Sequence, residues 1–159
     1  MYYTIDYASL WPLIDREVSR VADKSYTEQG VSQYDYIRLT AQDQAAVRMQ
    51  IDEAVSKLVA RLHDICRYAP LFYESDSEQG GEPVPTVTPR LLFYVPDMDE
   101  QSEEPVRSEV TDYINYYVTA IHLGDKRADR AQQYVDLSQA ALDKANILLR
   151  TRKPITESW

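Results

Sequence analysis

Glycine is scarce in this chain, four residues in 159, and that shortage removes the backbone cradles on which phosphate chemistry is built. No Walker loop, dinucleotide fingerprint or nucleophile elbow can be read in it. Cysteine is scarcer still. Cys66 stands alone, so no intrachain disulfide can form, and its place on an apolar arc reads as an inert core thiol in a reducing compartment. His63 and His122 are too far apart in sequence to complete a zinc site with one cysteine. His63 and Asp64 are neighbours, and on a helix they diverge by about 100°, which is no geometry for a dyad. Asp97 and Asp99 open like a calcium loop, but Ser102 replaces the turn glycine and Ser108 the closing glutamate. The best uncharged run, YINYYVTAIHLG, is far short of the roughly 20 apolar residues of a membrane span. MYYTIDYASL lacks the basic flank and apolar run of a secretory signal. The expectation is a soluble intracellular protein with no catalytic residues, no metal and no cofactor.

What the chain does have is tyrosine and segregated acid. Thirteen tyrosines stand against two Phe and two Trp, and tyrosine suits half-buried surfaces and interfaces because its hydroxyl must find a partner. For any single one, a place in a Tyr-rich core is the simpler reading. The net charge is −9. From Glu74 to Glu104 nine acids face Arg90 alone, so one segment carries eight of the nine net charges. The remainder is nearly balanced and can hold a locally basic surface.

Apolar periodicity predicts four helices. From Ser9, a candidate cap, Leu10, Leu13, Ile14, Val18 and Val21 repeat at helical spacing to about Asp23, with Pro12 tolerated in the first turn. Tyr2, Tyr3, Ile5 and Tyr7 before it suggest a short extended arm, and residues 24–38 a loop. The second helix is predicted over 40–69, capped by Thr40 and Asp43 and stopped by Pro70. Val47, Ile51, Ala54, Val55, Leu58, Leu62, Ile65, Cys66 and Ala69 form its stripe, and at 1.5 Å per residue it would run to roughly 45 Å. A turn-rich acidic insert follows, ESDSEQGGEPVPTVTP. Arg90–Val95, RLLFYV, is the best strand, expected to pair with 71–73 or 84–88 in a small hairpin or ribbon. A third helix runs from about Pro105 to Leu123. Its apolar residues span about 200°, with Asp112, Asn115, Thr119 and His122 on the remainder, so either it is central to the bundle or one flank meets another subunit. Gly124 closes it, and Asp125 starts a fourth helix whose face is rich in small residues, Ala128, Ala131, Ser138, Ala141 and Ala145. Helices three and four should form a close antiparallel hairpin. The fold expected is mainly α: one domain, 1–159, a four-helix bundle with an acidic β-hairpin or extended insert at 71–104 between the second and third helices.

Basic residues gather at both ends of the fourth helix, Lys126, Arg127 and Arg130 at its start and Arg150, Arg152 and Lys153 at its end. The second set complements the helix dipole, and phosphate contact is the alternative use of either.

Taken in order, these elements resemble the head-to-tail connector (adaptor) proteins of tailed double-stranded DNA phages. The likeness runs from Leu10 to Arg152 and is carried by the element order and by DQAAVRMQIDEAVSKLVARL and AQQYVDLSQAALDKANILLR. It implies a non-enzymatic structural subunit, a ring of about twelve copies beneath the portal, in contact with portal and neighbouring tail or neck proteins. Such a protein is made in the host cytoplasm and ends in the virion. By the same likeness the 71–104 insert is the docking element, the third helix serves subunit contacts, and the basic ends of the fourth helix approach a DNA passage. The candidate partner interface is Tyr73, Glu78, Glu82, Arg90, Phe93, Tyr94, Tyr113, Tyr116, Tyr117 and Trp159. The insert is unusually acidic for an element that would itself touch DNA. Two other readings stay open: an acidic regulatory or inhibitory module that binds a basic partner, and an enzyme with an unrecognised site among tyrosines, His63 and acids.

Overall fold

The structure, a computed structural model, describes residues 1–69, 73–74 and 86–152, with the backbone alone at 73, 74, 86 and 87. In chain order these residues form β1 (Tyr2–Thr4), α1 (Tyr7–Asp23), a one-turn α2 (Tyr34–Ile37), α3 (Gln44–Arg61), β2 (Cys66–Tyr68), β3 (Tyr73–Glu74), β4 (Thr86–Val87), β5 (Arg90–Phe93), α4 (Glu103–Leu123) and α5 (Ala128–Leu149). The expected mainly α fold is present: four long helices, with a small β insert between the second and third of them.

Each helix end has a local cause. The cap of α1 is Asp6 rather than Ser9: the Asp6 carboxylate accepts from the Ser9 amide at 3.2 Å and from the Ser9 hydroxyl at 2.6 Å. With the start moved back, Pro12 lies in the second turn, where it has no N–H to offer the Ala8 carbonyl. Both residues are exposed, so water can take that carbonyl. Thr40 and Asp43 do act together, the Asp43 carboxylate accepting from the Thr40 amide at 2.7 Å. They close a single 3-10 turn, Ala41–Asp43, that leads into α3.

The second long helix is shorter than its apolar stripe. It ends at Arg61, 18 residues and about 27 Å long. The amides of Ile65 and Cys66 fold back on the Leu62 carbonyl, and the chain then enters β2. Leu62 and Cys66 are buried on either reading, so burial spacing could not separate helix from strand. The deciding factor is the open edge of β5, which β2 covers.

β5 is the centre of a three-stranded antiparallel sheet, ordered β1-β5-β2. Tyr3 stands opposite Leu91, and Cys66 opposite Phe93. Leu91 and Phe93 point inward on alternate positions and are buried. Its partners are therefore the N-terminal arm and 66–68, not 71–73 or 84–88. Those two regions contribute to a second ladder, β3 on β4, with Tyr73 opposite Val87. The β3–β4 ladder is one residue out of step with β2–β5, where Tyr68 faces Leu91. Both ladders join the same two chain segments, so the insert is a β-hairpin with its base in the sheet.

α4 is the axis of the bundle and packs on α1, α3 and α5. Val106, Val110, Ile114, Val118 and Leu123 are fully buried along it. Asn115 and Thr119, assigned to a polar remainder by periodicity, are buried as well. The Thr119 hydroxyl donates to the Asn115 side-chain oxygen at 3.4 Å. A helix with three others packed on it buries an arc wider than one partner needs, which is why an arc near 200° is visible in its sequence. At its end Gly124 stays in right-handed helical geometry. A further turn, closed by the Lys126 and Arg127 amides on the Leu123 carbonyl, delays α5 from Asp125 to Ala128. Ser138, Ala141 and Ala145 are buried on α5 and allow close approach to α4.

Two substitutions test this packing by urea unfolding. Ile114→Ala should lose roughly 2–5 kcal/mol, since a fully buried isoleucine leaves a cavity on an axis enclosed by three helices. Asp6→Ala should lose about 1 kcal/mol, and a loss in Ser9→Ala as large as that in Asp6→Ala would show the cap to be misassigned.

Candidate interaction surfaces

Tyr116 and Tyr117 are neighbours in sequence, but about 100° of helical rotation sends them to different seams of α4. Tyr116 lies toward α1 and α5, with its ring 5.9 Å from that of Tyr134. There the Tyr134 hydroxyl donates to Glu17 at 2.9 Å, and Arg20 approaches the same carboxylate at 3.4 Å. Glu17 is a buried carboxylate held by these two partners. Asp112 lies nearby, and its carboxyl is pushed above the usual range, first by burial and also by the Glu17 charge, against the pull of Lys144 and Arg16. This seam is closed and packed.

Tyr117 lies on the other side, toward α3. Its hydroxyl donates to Glu53 at 2.8 Å, Glu53 pairs with Lys57 at 3.2 Å, and the Lys57 ammonium sits 5.0 Å from the Tyr117 ring centre. The Tyr117 hydrogen bond is the largest cause holding the Glu53 carboxyl below its ordinary value. α3 and α5 both pack on α4 but not to any extent on each other, so this seam opens as a groove of about 380 Å³. Its floor includes Tyr117, Ala120 and Leu142, and Ile121 and Val135 stand in its mouth, 38% and 46% exposed. Lys57 and Arg61 form its α3 lip, and no carboxylate lines it among the described residues. Val135, 46% exposed, marks the groove in the sequence by broadening the apolar stripe of α5 beyond what α4 covers.

The other candidate interface residues are not brought to one place. Phe93 and Tyr113 are core residues, a correction to their assignment as partner contacts. Phe93 fills the inner face of β5, and the Tyr113 hydroxyl donates to the Ala54 carbonyl at 3.2 Å, with burial pushing it up to about 12. Tyr94 is well exposed at the root of the hairpin. Arg90 lies over the Tyr2 ring at 5.1 Å. Tyr73 is placed by its backbone in β3, while Glu78, Glu82 and Trp159 lie outside the described residues.

Nor do the basic residues form one surface. From Arg130 to Arg150 α5 runs about 30 Å, which separates the two sets. Arg127 pairs with Asp129 at 2.9 Å, and Arg130 donates to Gln133. Arg150 donates to Asn146 and reaches Asp64 at 2.9 Å, so it staples the end of α5 to the turn after α3. Arg152 is exposed in a bridge to Met98, and Lys153 lies outside the described residues.

Two remaining groups have structural settings. Cys66 is buried, and desolvation pushes its thiol up to about 12. His122 donates through Nε2 to the Ile37 carbonyl at 2.6 Å, which ties α2 to α4. Burial is the main cause that lowers its pKa, the nearby Lys126 ammonium adds to it, and the Ile37 bond and Asp43 oppose. His63 is exposed, and Asp99 caps the turn before α4 by accepting from the Gln101 amide. Among the described residues no three His, Cys, Asp or Glu side chains converge as metal ligands, and no helix is long and apolar enough to cross a membrane. No protein-family model, curated protein or solved structure matches the chain.

His122 makes stability depend on pH with a definite sign. Its folded pKa is below the ordinary 6.5, so as pH falls through that value the unfolded chain takes up the proton first and stability is lost. His122→Gln, which keeps a donor for Ile37, should flatten the decline between about pH 7 and 5. Parallel stability profiles of the two proteins would rule the linkage out. Cys66 should react with a thiol reagent only as fast as the protein unfolds, and fast labelling in native buffer would contradict its burial.

Proposed function

We propose that this chain is a non-enzymatic structural subunit, a head-to-tail connector ring protein of a tailed phage or prophage. The observation that carries the reading is the hairpin. Its base strands β2 and β5 are hydrogen-bonded into the sheet that also holds β1, and the Ala69 amide, one residue past β2, donates to the Arg90 carbonyl at 2.8 Å. An arm rooted in this way is fixed to the helical body at its base, and the segment it belongs to, residues 70–89, carries four acids and no basic residue. That division into body and arm suits a subunit that must contact neighbours on two sides. A ring of about twelve copies, with portal and neck proteins as partners and the virion as final location, follows from the family resemblance. DNA passage through the ring needs no dedicated phosphate patch, and the divided basic residues offer none.

The second reading, an acidic regulatory or inhibitory module, draws on the same charge segregation. Native mass spectrometry and negative-stain microscopy of the purified protein, alone and with its portal, separate the two. Rings of uniform copy number are expected. A monomer at every concentration that never joins the portal would end the connector reading, and a salt-sensitive 1:1 complex with a soluble basic protein would replace it.

A further inference from the structure

We propose that the groove between α3 and α5 is the receptor for the acidic hairpin arm of a second copy of this chain. The inference rests on the ring reading above and supplies the contact that would build the ring. α1, α3 and α5 pack on α4, and along this seam Tyr117, Ile121 and Val135 offer an apolar strip that no helix covers among the described residues. From Tyr113 to Ile121 the floor runs about 12 Å, room for roughly four extended residues.

Charge names the occupant. In a chain of net charge −9, the groove is lined by Lys57 and Arg61 with no carboxylate among the described residues that line it. Lys57 shares its charge with Glu53, while Arg61 stands exposed at the end of α3. The complementary segment lies in the same sequence: residues 70–89 carry Glu74, Asp76, Glu78 and Glu82 with no basic residue, beside the apolar Leu71, Phe72 and Val84. An acidic, partly apolar arm matches a cationic-lipped apolar groove in both respects.

Arm and groove are different surfaces of one chain, so their contact is heterologous. Such contacts propagate head to tail and close into rings when the rotation allows, whereas a groove meeting its own copy would stop at a two-fold dimer.

The test uses one-sided variants of the full chain, with far-UV circular dichroism confirming that each folds. Arg61→Glu with Val135→Asp breaks the groove and leaves the arm. Glu78→Lys with Glu82→Lys breaks the arm and leaves the groove. Each variant alone should be monomeric by native mass spectrometry under conditions where the unaltered protein assembles. Mixed in equal amounts they should give a 1:1 heterodimer and nothing larger, because only one intact arm and one intact groove remain. Arg61→Glu alone should weaken assembly about tenfold, and added salt should weaken the unaltered contact. A mixture that stays monomeric while the unaltered protein forms rings overturns the arm-in-groove contact and leaves the ring reading standing. The same holds if the groove variant assembles normally by itself. An unaltered protein that stays monomeric throughout, with and without portal, overturns both.

Discussion

Everything in this fold follows from the need to keep α4 out of water. A helix whose apolar arc approaches 200° cannot be satisfied by one partner, and α1, α3 and α5 each take part of it. The arrangement buries Asn115 and Thr119 on α4, whose side chains contact each other. It also sends the Tyr113 hydroxyl to the Ala54 carbonyl of α3, which leaves that buried group with a partner. At the seam toward α1 and α5 the solution is more polar, with Glu17 held between Tyr134 and Arg20. Breaking either contact would leave a buried charge short of a partner, so this seam is specific as well as closed.

The sheet answers a different problem. β5 has two edges, and unpaired edges invite association. Here the N-terminal strand takes one and the continuation of α3 takes the other. By ending α3 early the chain gives up part of a helix and gains a rigid mount for the hairpin. Phe93 and Leu91 anchor that mount in the same core that surrounds α4, so the base of the arm and the bundle move as one unit.

Functionally, the molecule divides its chemistry by place. Its catalytic vocabulary is sparse: a buried unreactive thiol, one histidine committed to a backbone carbonyl, and another that is exposed. Its surface vocabulary is richer, with an acidic segment in the sequence between β2 and β5 and an apolar seam with a cationic lip between α3 and α5.

The sequence by itself determined the class of fold, the order of its four helices, the presence of strand between the second and third of them and the concentration of acid from Glu74 to Glu104, because these depend on periodicity and composition over many residues. The burial of Cys66 was legible for the same reason. Tertiary structure alone decided where α3 stops, since Leu62 and Cys66 are buried in a helix or in a turn and strand alike. It also decided that Phe93 and Tyr113 belong to the core, that Tyr116 and Tyr117 serve opposite seams, and that the two basic clusters of α5 never meet. The groove belongs to the same list, because an uncovered seam is a property of three helices packed together and leaves almost no mark on any one of them.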